Sequence, residues 1–158
     1  MENGSAESHM KSFLQSKDYK GFLNAFNLYL CSGMKSENST YFKSVALLCY
    51  LMEGNTLEFN KLIQTTKSDE MNNESIETVI KVADSIHRLD FESFKKILST
   101  CPKALKHVIE KIMKNQQQLM ESSLKHDAGE SEAITKVSKD VIESMKDCIY
   151  VIKNFMGD

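Results

Sequence analysis

The side chains best suited to metal binding and nucleophilic chemistry are four histidines (His9, His87, His107, His126) and four cysteines (Cys31, Cys49, Cys101, Cys148). Their spacing decides what they can do. Asp84 and His87 stand three residues apart, so on a helix they share a face, as two metal ligands would. The sequence supplies no third or fourth ligand beside them, and it predicts no metal site. Cys101 with His107 invites a thiolate and its base, but no orienting residue or oxyanion donor accompanies them. Cys101 before Pro102 reads instead as a helix end, with His107 on the surface. No G-x-x-x-x-G-K-[ST] or G-x-G-x-x-G stretch offers a phosphate cradle. The expectation is a chain with no catalytic residue, no metal and no cofactor, and therefore not an enzyme.

Charge narrows the partners. The net charge of −2 gives no overall attraction to nucleic acid or to an anionic membrane. Residues 95–114 nevertheless hold Lys95, Lys96, Lys103, Lys106, Lys111 and Lys114 against Glu110 alone, while residues 53–77 lean acidic. Arg88 is the single arginine, and no aromatic follows Phe94 in the basic stretch. Base readout leans on arginine and single-strand binding on stacking aromatics, so nucleic acid is not the expected partner. Lys103, Lys106 and Lys111 lie opposite Leu105, Val108 and Ile112 on a helix, a solubilising face that would also suit an acidic protein.

These residues must be positioned by helices. Apolar residues make up 41% and charged residues 27% of the 158, with one proline and six glycines, and no window alternates for long. The composition reads all-α. Residues 1–7 read as a flexible leader, followed by one helical domain over 8–158. No apolar run reaches the roughly 18 residues of a membrane span, and no secretory signal follows the start. Four free, mostly buried thiols then fit a reducing cytoplasmic or nuclear setting. The nine methionines read as core filling.

The elements repeat. Asp90-Phe91-x-x-Phe94-x-x-Ile97-Leu98 aligns with Asp18-Tyr19-x-x-Phe22-x-x-Ala25-Phe26 and with Asn55-Thr56-x-x-Phe59-x-x-Leu62-Ile63. Each opens on an N-cap residue, and each is preceded at four residues by an apolar helix end: Leu14, Leu51 or Ile86. The caps are 37 and 35 residues apart. A period near 36 with two helices per unit is that of tetratricopeptide-like hairpins. The pattern predicts three stacked helical hairpins over about 8–33, 39–66 and 75–99. Ser39 or Thr40 should cap the third helix and Ser75 the fifth, with TTKSDEMNNE as a loop.

Two longer helices, about 103–125 and 131–156, close the stack. The last carries Ile134, Val137, Val141, Met145, Cys148, Ile152 and Phe155 in one stripe, widened by Ile142, Ile149 and Val151. An apolar surface that wide either packs across the repeats or meets a partner helix. Ile142, Met145, Ile149, Ile152 and Phe155, with Lys103, Lys106 and Lys111, are the candidate partner-binding residues.

YFKSVALLCYLMEGNTLEFNKLI, ESIETVIKVADSIHRLDFESFKKIL and CPKALKHVIEKIM are together similar to the small PCI-type subunits. Those are the smallest COP9 signalosome subunit, its proteasome-lid relative and subunit k of translation initiation factor three. The resemblance covers roughly residues 11–114. It implies an arc of helical hairpins in a non-catalytic scaffold subunit that binds other protein subunits of an intracellular complex. It departs from the family beyond Lys114, where 44 helical-looking residues stand in place of a winged helix. The rival expectation is a Bcl-2-like regulator, a helical bundle with a hydrophobic central helix and a groove for an amphipathic peptide. The repeat argues against it.

Overall fold

The computed structural model describes residues 3–126, which form eight α-helices and no strand. They are α1 (Asn3–Gln15), α2 (Tyr19–Cys31), α3 (Ser39–Glu53), α4 (Thr56–Gln64), α5 (Ser68–Met71), α6 (Glu74–Arg88), α7 (Phe91–Thr100) and α8 (Lys103–His126). The all-α expectation holds. The expected helix over 131–156, with Ile142, Met145, Ile149, Ile152 and Phe155, lies outside the described residues.

Three of the connections are the same corner. At α1–α2, α3–α4 and α6–α7 one residue turns left-handed: Lys17 (φ 58°), Gly54 (φ 67°) and Leu89 (φ 55°). The next residue is at once the end of one helix and the cap of the next. Its backbone N–H reaches back to the carbonyl five residues earlier: Asp18 to Phe13 (2.9 Å), Asn55 to Tyr50 (2.9 Å) and Asp90 to Ser85 (3.0 Å). This is the six-to-one bond of a Schellman turn, and it satisfies a carbonyl the helix end would orphan. Its side chain then accepts from the N–H three residues on: Gly21 to Asp18 (2.9 Å), Glu58 to Asn55 (3.3 Å) and Ser93 to Asp90 (3.0 Å). The fourth residue after each cap, Phe22, Phe59 or Phe94, is buried, as are Leu14, Leu51 and Ile86 before it. Cap, bend and buried ring recur together.

Tight approach at the first corner depends on Gly21. A Cβ there would sit 2.5 Å from Asp18 Oδ2 and 2.7 Å from the Phe13 ring.

The core gathers around α3. Phe42, Val45, Leu48 and Cys49 are buried at helical spacing, and Ala46, Leu47, Tyr50 and Leu51 are buried too. The helix is enclosed because α2, α4, α6 and α8 all pack on it. Its two buried hydroxyl residues are both satisfied, Ser44 donating to the Thr40 carbonyl at 2.8 Å and Tyr50 to Asn27 Oδ1 at 3.1 Å, so enclosure strands neither of them.

Several boundaries move from expectation, each for a reason visible in the contacts. The first helix starts at Asn3, not near residue 9, so the stretch assigned to a leader includes helix. Ala6 packs against the core, and Asn38 Nδ2 donates to Glu7 Oε2 at 3.0 Å. Helix α3 has Asn38 at its cap position, because Ser39 Oγ is engaged by the Ser36 N–H (2.8 Å) and the Tyr29 hydroxyl (2.7 Å). Helix α6 is capped by Asn73, whose side chain accepts from the Ser75 N–H at 2.9 Å. The expected loop TTKSDEMNNE holds the single turn α5. Glu70 of that turn accepts from the Lys67 N–H (3.1 Å) and from Lys43 Nζ on α3 (2.6 Å).

Candidate interaction surfaces

The lysine face of α8 separates into two kinds of residue. Lys103 and Lys106 are exposed. Lys111 is exposed as well, but its Nζ stands 4.8 Å from the Tyr19 ring centroid, so a cation–π contact holds it against α2. Lys95 pairs with Glu92 at 3.1 Å on α7.

His107 is half-buried, not on the surface as expected. Its ring stacks on Tyr19, centroids 6.2 Å apart and planes 22° apart, and its buried Nε2 has no hydrogen-bond partner among the described residues. Burial holds its pKa below the ordinary histidine value, and the positive charge of Lys17 adds to this against the opposing Ala104 carbonyl and Glu110. Burial pushes the Cys49 thiol up to about 12, with Glu53 adding to the effect and Lys111 opposing it. Burial likewise raises the Cys101 thiol, which donates weakly to the Leu98 carbonyl at 3.5 Å. A thiol held protonated is a poor nucleophile. Cys31, expected among mostly buried thiols, is exposed because it ends α2 on the solvent side. Asp84, which shares a helix face with His87, pairs with Arg88 at 3.0 Å. Among the described residues no three histidine, cysteine or acidic side chains converge as a metal site.

Among the described residues the exposed large apolar side chains are Leu28 and Leu30 on α2, Leu57 on α4, Leu89 at the α6–α7 corner, and Leu119 and Met120 on α8. By spacing Leu119 and Met120 belong to the apolar stripe of α8, yet both are exposed where Leu105, Val108, Ile109 and Ile112 are buried. At the same end, Leu89, Phe91, Phe94 and Gln116 border a hollow of about 10 Å³, room for a single water. Periodicity shows which face of a helix is apolar, not how far the neighbouring helices extend along it.

Among the described residues no helix is long and apolar enough to cross a membrane. No known protein family, curated protein or solved structure matches this chain.

Proposed function

We propose that the protein is a non-enzymatic scaffold subunit of a multi-subunit intracellular complex, built as three stacked hairpins, α1–α2, α3–α4 and α6–α7. The observation that carries this reading is the corner built three times at spacings of 37 and 35 residues, with the same backbone bond, cap and buried phenylalanine. A chain that repeats one unit stacks its units and presents extended surfaces, which is how helical-repeat proteins bind. Resemblance to the small PCI-type subunits rests on the same residues and gives the same role. Partners engage the apolar residues Met145, Ile149, Ile152 and Phe155, flanked by Ile142, and an acidic surface meets Lys103 and Lys106, with Lys111 partly engaged by Tyr19.

The test is affinity purification of the tagged chain from its own cells at moderate salt, with partners identified by mass spectrometry. A stoichiometric set of helical-repeat subunits is expected, lost on Ile149→Asp with Ile152→Asp while helicity is kept. A chain recovered alone refutes the reading. The enclosure of α3 on every side favours a second reading, the peptide-groove regulator, since such bundles bury a central helix. Recovery of one partner through an amphipathic helix would select it.

A further inference from the structure

We infer that α8 is fastened to α2 by a pH-sensitive clasp, the Tyr19 ring gripped by His107 and Lys111, and that protonation of His107 loosens this seam ahead of the rest of the fold. The inference stands on the geometry of these residues and is independent of the proposed function. Tyr19 is the first residue of α2, directly after its cap Asp18, and it is buried. His107 and Lys111 stand four residues apart on α8, so successive turns present them on one face. The His107 ring lies 22° from parallel with the Tyr19 ring, and Lys111 Nζ is 4.8 Å from the centroid of that same ring. One aromatic ring of α2 thus receives two turns of α8.

The grip requires a neutral His107. The Ala104 carbonyl, one turn back, accepts a hydrogen bond from the imidazole. Nε2 has no hydrogen-bond partner among the described residues, so the donor is Nδ1–H and the buried Nε2 holds a bare lone pair. A proton added at Nε2 would be a buried donor without an acceptor, on a ring that has become charged. The Tyr19 ring attracts a cation, but Lys111 already occupies it. The facing groups do not offset the new charge. Lys17, at the α1–α2 corner, is positive and disfavours the proton, against Glu110 on α8 itself. Tyr19 on α2, Cys49 on α3 and Cys101 at the α7–α8 joint are kept protonated and uncharged by burial. Glu53 of α3 acts on the Cys49 thiol, with Lys111 opposing it. The neutral ring is therefore stabilising above 6.5, and its contribution is lost as pH falls through the lowered folded value. The loss falls on α8 because the short Cys101–Pro102 joint is its stem, and the caps and corner bonds of α1–α7 lie outside the seam. Fully buried Leu105, Val108, Ile109 and Ile112 still hold α8, so the proton makes opening more frequent and does not strip the helix away.

Hydrogen–deuterium exchange on the full chain tests this at about pH 7.5 and about pH 5, on either side of histidine titration, with rates corrected for the pH dependence of free amides. Amides of Leu105–Ile112 should lose protection at the lower pH while Phe42–Leu51 of α3 keep theirs. His107→Phe retains a stacking ring that cannot titrate, and should abolish that loss. Lys17→Gly, at an exposed corner position, should shrink the loss by removing a positive neighbour, and decides the matter if the histidine variant does not fold. An α8 whose protection does not change with pH, an equal loss in α3, or a loss undiminished in these variants would each overturn the inference.

Discussion

If the three corners are one structural device, the left-handed residue should respond to substitution by rule. Gly54→Ala isolates the backbone, because a Cβ at Gly54 meets nothing within 4 Å. The left-handed conformation costs a residue with a Cβ about 1–2 kcal/mol. Alanine also stiffens the unfolded chain, which returns about 0.4–1 kcal/mol. The net loss is about 1 kcal/mol. At a urea slope near 2 kcal/mol/M this lowers the unfolding midpoint by about 0.5 M. Lys17→Gly runs the same exchange backwards at an exposed position with φ 58°, and should raise the midpoint by a similar amount. Urea titration followed by circular dichroism reads both. Equal shifts of the same sign, or a Gly54→Ala protein as stable as the parent, would refute the shared corner.

Gly21→Ala drives a methyl against the Phe13 ring and the Asp18 carboxylate, and should cost about 1–3 kcal/mol in the same titration. Burial works to raise the pKa of Glu70, but the hydrogen bond and charge of Lys43 and the Lys67 N–H outweigh it, and the net pKa is lowered. Its stabilisation is therefore full above the ordinary value of 4.5 and disappears as pH falls through the lower folded value. Glu70→Gln should cost about 1–2 kcal/mol at neutral pH, with the gap closing on acidification, because Lys43 is left only 11% exposed without its partner. Neutral His107 is the folded form, so its contribution is present above 6.5 and lost as pH falls through its lowered pKa. An NMR titration should place His107 below 6.5, and Lys17→Gly should move it upward by removing a positive neighbour.

What could be read from the sequence was what is local. Asp18, Asn55 and Asp90 act within three residues of themselves, and Phe22, Phe59 and Phe94 sit at a fixed step from those caps, so pattern and spacing located all three corners. The caps of α3 and α6 fell a residue or two earlier than expected, at α3 because the Ser39 hydroxyl is used elsewhere and at α6 because Asn73 accepts from the Ser75 N–H. Ser39 is taken up by Tyr29, ten residues away. Lys43 with Glu70, and Lys111 on Tyr19, join positions far apart in the chain and leave no periodic trace. Leu119 and Met120 fit the α8 stripe by spacing, and only the fold shows that they are exposed.

The corners also bear on the choice between scaffold and groove regulator. Enclosure of α3 is what favours the groove regulator, but it favours it weakly, since a central helix arises in any bundle whose middle element is contacted on four sides. A bundle built for a single enclosed helix has no reason to make its connections alike. Here three connections share a left-handed residue, a backbone bond of 2.9–3.0 Å and a capped first turn, although only one of the three left-handed residues is glycine. Lysine and leucine accept a costly conformation at the other two. A conformation kept against residue preference is imposed by packing, and what recurs at each corner is a buried phenylalanine in the first turn of the second helix and a buried apolar residue near the end of the first. That recurrence is what a stack of like units requires, and it weighs for the scaffold.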